Sequence, residues 1–201
     1  VAHKMVEKGK GILAADESTP TCTKRFQSIN TESTIENRNI YRNMLFTAES
    51  IEKYISGVIL FDETFHQSAL SSGITCPEYL TSKDILPGIK VDQGLIDFGT
   101  NEKITNGLDG LSERLGKYFA LGARFAKWRA VISIGDNIPT DNCINENAKV
   151  LAQYAQKCQQ ANLVPIVEPE VLMDGGHTID ESFDVTSKAL NATFDQLAQH
   201  N

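Results

Sequence analysis

The stretch Arg124-Phe-Ala-Lys-Trp-Arg-Ala-Val-Ile132 is the most informative part of this 201-residue sequence. It is short, largely apolar and rich in bulky residues, which is typical of a buried strand, yet Lys127 and Arg129 stand in its interior. Strand side chains alternate between two faces, so the two cations share one face and Trp128 lies on the other. The pattern predicts a strand whose Trp128 packs against helices while both cations point to the inner face.

Short apolar runs alternate with amphipathic helical patterns along the whole chain. Four further runs are typical of buried strands: Gly11–Ala15, Gly57–Phe61, Gly88–Val91 and Leu163–Val167. Because alternating strands and helices imply parallel strands joined by crossovers, two folds fit: an open doubly wound sheet and a closed (βα)₈ barrel. No linker-like stretch divides the sequence, and we therefore predict a single α/β domain over residues 1–201.

Capping boxes and apolar spacing predict where several helices begin and which faces they bury. Ser33-Thr-Ile-Glu36 and Thr178-Ile-Asp-Glu181 both have the capping-box pattern. Apolar residues recur at helical spacing in three stripes that we expect to face the core. The stripes are Tyr41, Met44, Leu45 and Ala48; Ile144, Ala148, Leu151, Ala155 and Cys158; and Ile179, Phe183, Thr186, Leu190, Phe194 and Leu197.

The composition excludes several functional classes. Nineteen Lys and Arg residues against 26 Asp and Glu residues give a net charge of −7, which disfavours a general nucleic-acid binder and a polybasic membrane-surface module. Apolar runs of about five residues are far shorter than the roughly 20 that a transmembrane helix needs. The four histidines lack metal-ligand spacing and no Gly-x-Gly-x-x-Gly follows a strand, so we predict neither a metal nor a cofactor.

Charged residues stand at the ends of the predicted strands, where parallel sheets collect their ligands. Asp16 follows the first run, Lys90 lies in the third, and Glu168 and Glu170 follow the fifth. Since desolvation of an unpaired cation is costly, we expect carboxylates beside the cations of the fourth run. Two interpretations stay open. The charges form a buried ion-pair network that only stabilises the fold, or they form a site where a desolvated lysine and paired carboxylates exchange protons.

The segment after the first strand is polar and basic. It contains Ser18, Thr19, Thr21, Lys24 and Arg25. Hydroxyls and cations in this arrangement suit a phosphate group. The same composition is typical of a turn that caps a helix, so that interpretation also stays open.

Five motifs resemble those of class I fructose-bisphosphate aldolases, and they occur in the same order over the whole chain. The motifs are Gly9–Ser18, Gly88–Asp92, Gly107–Arg114, Phe125–Arg129 and Val164–Glu170. The resemblance implies a (βα)₈ TIM barrel, of which this chain carries about the first five βα units. It also implies metal-independent aldol cleavage of fructose 1,6-bisphosphate to dihydroxyacetone phosphate and glyceraldehyde 3-phosphate through a Schiff-base intermediate.

The resemblance further implies roles for individual residues. Asp16 resembles the carboxylate that interacts with the reacting substrate, and Lys127 resembles the lysine that stabilises charge during carbon–carbon bond chemistry. Glu168 resembles the general acid/base, and Glu170 resembles the companion that tunes Lys127. The residues expected to bind substrate are Lys90, Arg129, Ser18, Thr21, Lys24, Arg25 and Arg38.

The Schiff-base lysine of the family lies on a sixth strand, and residues 1–201 contain no counterpart of that segment. A (βα)₈ barrel typically needs about 250 residues, so we expect this chain to be part of a longer protein and to be inactive alone. The resemblance implies a cytoplasmic, commonly homotetrameric protein that acts on a small sugar phosphate and uses neither nucleic acid nor membrane. Two alternatives are kept: a non-catalytic relative that binds sugar phosphates or a protein partner, and an unrelated doubly wound enzyme.

Overall fold

Strands and helices alternate along the computed structural model, which describes residues 1–69 and 72–200. The strands are β1 Gly11–Ala15, β2 Ile55–Leu60, β3 Leu86–Lys90, β4 Leu95–Phe98, β5 Glu102–Thr105, β6 Phe125–Ile132 and β7 Val164–Val171. The helices are α1 Ala2–Met5, α2 Thr19–Gln27, α3 Ile35–Phe46, α4 Asp62–Phe65, α5 Cys76–Ser82, α6 Leu111–Ala120, α7 Asp141–Gln160 and α8 Ile179–Gln199, with a 3₁₀ turn at Ile51–Lys53.

Five strands form one sheet in the order β1-β2-β3-β6-β7, which is their order along the chain. The pairs β1–β2 and β2–β3 are parallel. A doubly wound sheet reverses its strand order at a switch point, so the observed order excludes that alternative. The strands β4 and β5 form a separate antiparallel hairpin that the sequence analysis missed.

The chain divides into two compact units. The first consists of Val1–Lys90 and Lys117–Ala126, and the second consists of Val91–Gly116 and the chain from Lys127 onward. Within the first unit, Ala15 pairs with Leu60 and Leu60 pairs with Ile89. The single-domain assignment stays a prediction.

A phenylalanine ring fills the space above two glycines of the first unit. A Cβ atom added to Gly88 in β3 would lie 2.2 Å from two ring atoms of Phe125, and one added to Gly57 in β2 would lie 2.9 Å from the same ring. Phe125 is wholly buried. The two glycines therefore make room for a large inward-facing side chain on β6.

Replacing Gly88 by Ala is expected to lower the free energy of unfolding by about 1–3 kcal/mol, because a methyl group there overlaps a ring that cannot move into solvent. Urea denaturation of the whole protein measures the change. Gly11→Ala is the matched control, since a Cβ on that strand residue meets no atom within 4 Å. Equal effects of the two substitutions would contradict the packing argument.

The stripe predicted for α7 is confirmed. Its five residues are all buried, and Thr140 caps the helix by accepting a hydrogen bond from the amide of Cys143 at 3.1 Å. The capping box at Thr178 is confirmed as well, with the Glu181 side chain accepting from the Thr178 amide. At α3 the predicted box is wrong by one residue, because Thr34 and not Ser33 caps the helix.

The stripes predicted for α3 and α8 are wrong. Met44 on α3 is 62% exposed, and the buried face of that helix instead carries Arg38, Arg42, Asn43 and Phe46. On α8 four stripe residues are exposed, namely Ile179, Phe183, Leu190 and Phe194. This helix buries Ala189 and Thr193, because its contact with α7 and β7 runs along small residues on another face.

In the described part of the chain, no helix is long and apolar enough to cross a membrane.

Candidate active site

Two ion pairs join the middle of β6 to the C-terminal half of β7 in the second unit. Lys127 Nζ lies 3.1 Å from Glu168 Oε2, and Arg129 Nε pairs with Glu170 Oε2. The Lys127 side chain is 12% exposed and the Glu168 side chain is 36% exposed. A cation and a carboxylate in this state remain accessible to a small ligand while each stabilises the charge of the other.

The alternation predicted for β6 is confirmed. Ala126, Trp128 and Ala130 are buried on one face, whereas Lys127 and Arg129 on the other face are partly exposed. The Trp128 ring packs against the ring of Tyr154 on α7. The strand thus holds its two cations toward Glu168 and Glu170 because Trp128 fixes the opposite face to the helix layer.

Two predicted site residues stand at the carboxyl ends of β1 and β3 in the first unit. Asp16 directly follows β1 and is 8% exposed, and Lys90 is the last residue of β3 and is half-buried. The paired residues Ala15, Leu60 and Ile89 immediately precede this edge. The register therefore brings Asp16 and Lys90 to the same edge of the sheet, with β2 between them.

Glu17, next to Asp16, is the centre of a polar network that the sequence analysis missed. Its carboxylate pairs with Arg25 and Arg42 and accepts a hydrogen bond from Tyr41 at 3.0 Å. Arg42 also donates to the main-chain carbonyl of Glu17 at 2.6 Å. Burial alone would raise the pKa of Glu17, but the pKa is lowered because the hydrogen bond and charge of Arg42, together with hydrogen bonds from the main chain and from Tyr41, outweigh it. Glu17 is therefore held as an anion that fixes the turn after β1.

The polar loop after β1 forms the beginning of α2. Ser18 occupies the N-cap position, but its side chain makes no capping hydrogen bond. Its hydroxyl lies 3.2 Å from that of Thr21, and Thr21 and Lys24 are exposed. The backbone of this loop therefore starts a helix, whose first two turns also carry the two hydroxyls and an exposed cation, and the phosphate interpretation stays a prediction.

Arg38 makes contacts within the protein. Its guanidinium donates two hydrogen bonds to Glu63, at 2.8 and 2.6 Å, and one to the carbonyl of Ser33 at 2.5 Å. The residue is 8% exposed. These contacts fix α3 against the start of α4, and a role of Arg38 in substrate binding stays a prediction.

The cysteines and the metal-binding side chains show no clustering among residues 1–69 and 72–200. All four cysteines are free and buried, and burial raises the pKa of the Cys76 thiol to about 11. No group of three or more His, Cys, Asp or Glu residues in that part of the chain is arranged to hold a metal ion.

Comparison with known proteins gives matches over the whole chain. The family model for class-I fructose-bisphosphate aldolase, described as glycolytic, matches residues 1–201. A probable class 1 fructose-bisphosphate aldolase of Xylella fastidiosa is 50% identical over 202 residues, covering 100% of this chain and 60% of the relative. Cytosolic fructose-bisphosphate aldolase 4 of Arabidopsis thaliana is 52% identical over 195 residues, covering 96% of this chain and 49% of the relative.

A solved structure is similar as well. Fructose-bisphosphate aldolase from Plasmodium falciparum, crystallised with TRAP and a small-molecule inhibitor, matches with a TM-score of 0.92 and 52% identity. The match covers 98% of this chain and 57% of that one. It confirms the predicted fold class, a (βα)₈ TIM barrel of which this chain carries part. The chain spans about 60% of the length of its Xylella relative, and it belongs to the class I fructose-bisphosphate aldolase family.

Proposed function

We propose that the whole protein containing this chain cleaves fructose 1,6-bisphosphate to dihydroxyacetone phosphate and glyceraldehyde 3-phosphate, and catalyses the reverse condensation. The observation that carries the proposal is the pairing of Lys127 with Glu168, and of Arg129 with Glu170, on adjacent strands. A structural network alone would not require four charged side chains on these two strands, because TIM barrels bind their ligands at the carboxyl ends of the strands. The reaction type is inferred from the membership of the chain in the class I fructose-bisphosphate aldolase family.

The proposed mechanism proceeds through a Schiff base. A lysine amine condenses with the substrate carbonyl and releases water, and the resulting iminium accepts the electron pair when the C3–C4 bond breaks. Glu168 exchanges the protons that these steps require, and Lys127 stabilises the negative charge that develops on oxygen. Asp16 contacts the reacting part of the substrate, and Glu170 holds the neighbouring cation Arg129 in place.

The cations and hydroxyls at the strand ends are proposed to hold the phosphates. Lys90 supplies charge at the end of β3 and Arg129 supplies it on β6, and Lys24, Ser18 and Thr21 supply an exposed cation with two hydroxyls. Arg25 is 57% exposed and can turn from Glu17 to a phosphate, because Glu17 keeps its buried partner Arg42. The substrate class, a cytoplasmic location and a homotetrameric assembly belong to the same proposal.

The lysine that forms the Schiff base is not proposed among residues 1–201. Lys90 and Lys127 match other positions of the family motifs, and we assign neither to that role. We therefore propose that residues 1–201 expressed alone neither cleave fructose 1,6-bisphosphate nor form a covalent adduct with dihydroxyacetone phosphate.

Borohydride trapping tests the proposed Schiff-base mechanism of the whole protein and the proposed inactivity of residues 1–201 alone. The whole protein and the 201-residue chain are each incubated with dihydroxyacetone phosphate, reduced, and analysed by intact mass. We expect one adduct per whole-protein subunit, together with measurable cleavage, and no adduct on the 201-residue chain. An adduct on the shorter chain would overturn the proposal that no lysine among residues 1–201 forms the Schiff base. A whole protein that binds the bisphosphate without adduct or cleavage would favour the non-catalytic alternative.

A further inference from the structure

Tyr154 on α7 connects the two strands that carry the ion pairs, and it does so from the opposite face of the sheet. Its ring packs against that of Trp128 in β6, with centroids 5.4 Å apart and planes inclined by 33°. Its hydroxyl donates a hydrogen bond to the main-chain carbonyl of Ile166 in β7 at 3.2 Å. One side chain therefore contacts both strands.

These contact points lie close to the charged residues along each strand. Trp128 stands between Lys127 and Arg129 in β6. Ile166 precedes Glu168 by two residues in β7, and a strand advances about 3.3 Å per residue, so roughly 7 Å separate them along the strand. A shift of β7 against β6 at Ile166 therefore moves the Glu168 carboxylate relative to the Lys127 ammonium.

The surroundings of Tyr154 keep its hydroxyl in the donor form. The side chain is wholly buried. Burial raises the pKa of Tyr154 well above its ordinary value, and the neighbouring Cys158 contributes to the same shift. The phenol therefore retains its proton and donates a hydrogen bond to the Ile166 carbonyl. Burying this hydroxyl has a desolvation cost that a phenylalanine would avoid, and the hydrogen bond to Ile166 offsets that cost.

We infer that Tyr154 is a positioning residue that sets the distance between Lys127 and Glu168. It acts through the two strands and not by contact with the substrate. The expected change in turnover rests on the proposed function, whereas the expected change in the Lys127–Glu168 distance does not. Misplacement of a catalytic group by about 1 Å can cost about a hundredfold in rate, so a single hydrogen bond behind the site is enough to affect turnover.

Tyr154→Phe in the whole protein tests the inference, since it removes the hydroxyl and keeps the ring. Tyr118→Phe is the matched control: Tyr118 in the first unit is also buried, and its hydroxyl donates a hydrogen bond at 2.5 Å to Asp62, which belongs to neither ion pair. Cleavage rates are divided by the number of sites trapped with borohydride, so that unfolded molecules do not count. We expect Tyr154→Phe to lower kcat per trapped site about tenfold with KM changed by less than about twofold, and Tyr118→Phe to leave both unchanged.

Crystal structures of the wild type and Tyr154→Phe provide a readout that needs no activity. We expect the Lys127–Glu168 pair to open beyond about 4 Å, the limit of a direct ion pair. An unchanged pair distance would overturn the inference in an active or an inactive protein. An unchanged kcat per trapped site, or an equal loss in Tyr118→Phe, would also overturn it. A wild type without cleavage would refute the proposed function. The Lys127–Glu168 distances in the two crystal structures would then still test the positioning role of Tyr154.

Discussion

Replacing Glu168 by Gln in the whole protein is expected to lower kcat for fructose 1,6-bisphosphate cleavage about a hundred- to ten-thousandfold, the usual contribution of general acid–base catalysis. Glutamine has the shape of glutamate and can still accept a hydrogen bond from Lys127, so the geometry of the pair is largely kept. It cannot take up and return a proton. The loss therefore reports the proton transfer that the proposed mechanism assigns to Glu168.

The kinetic pattern separates this role from substrate binding. Steady-state rates per trapped Schiff-base site should show a reduced kcat with KM altered by less than about threefold, as expected when an interaction of the transition state is lost. Glu146→Gln is the matched control, because Glu146 pairs with Lys149 on the exposed surface of α7. A Glu168→Gln protein that turns over within about threefold of the wild type would remove Glu168 from the mechanism.

The sequence is sufficient to predict the pairing of these strands because period-two alternation leaves few choices. The two cations on either side of Trp128 must lie on one face of their strand. The two carboxylates on either side of Pro169 must likewise lie on one face of theirs. Parallel pairing then brings the two faces together, and the structure shows the resulting ion pairs. This part of the site follows from local geometry together with the cost of an unpaired buried charge.

The network around Glu17 could not be predicted in the same way, because its partners are distant in sequence. Arg42 lies 25 residues from Glu17. On a helical wheel Arg38 and Arg42 share a face, and a face that carries arginines is normally exposed to solvent. The hydrophobic pattern therefore assigned α3 the wrong buried face. The signal that could have identified the network is a pair of arginines four residues apart on the second helix after β1, a strand that two carboxylates follow directly.

Periodicity also failed for α8, where the residues that pack inside are small. Ala189 and Thr193 are buried, while large apolar residues such as Phe183 and Phe194 are exposed. A stripe of bulky residues dominates any apolar pattern, although close packing against α7 favours small side chains. The pattern therefore predicted the helix correctly and its inner face incorrectly.

Replacing Arg42 by Met is expected to lower the free energy of unfolding of the whole protein by about 3 kcal/mol, because one partner of a buried ion pair is removed while the other stays. Arg42 is 2% exposed and binds both the carboxylate and the main-chain carbonyl of Glu17. Methionine fills a similar volume, so the loss reports the charge and the hydrogen bonds. Arg25→Met is the control, since that partner of Glu17 is 57% exposed and should cost at most about 1 kcal/mol.

The pH dependence of the same variant identifies Glu17 as the group that Arg42 stabilises. The pKa of Glu17 is lowered from its ordinary value of 4.5 in the folded chain, so folding favours its ionised form. A group with a depressed folded pKa contributes stability above its unfolded pKa and loses that contribution as the pH falls through the folded value. The difference between wild type and Arg42→Met, measured by urea denaturation at several pH values, should therefore be largest above pH 4.5 and shrink below it. A difference that stays constant through this range would mean that Arg42 stabilises the fold by packing, and that the anion beside Asp16 has another partner.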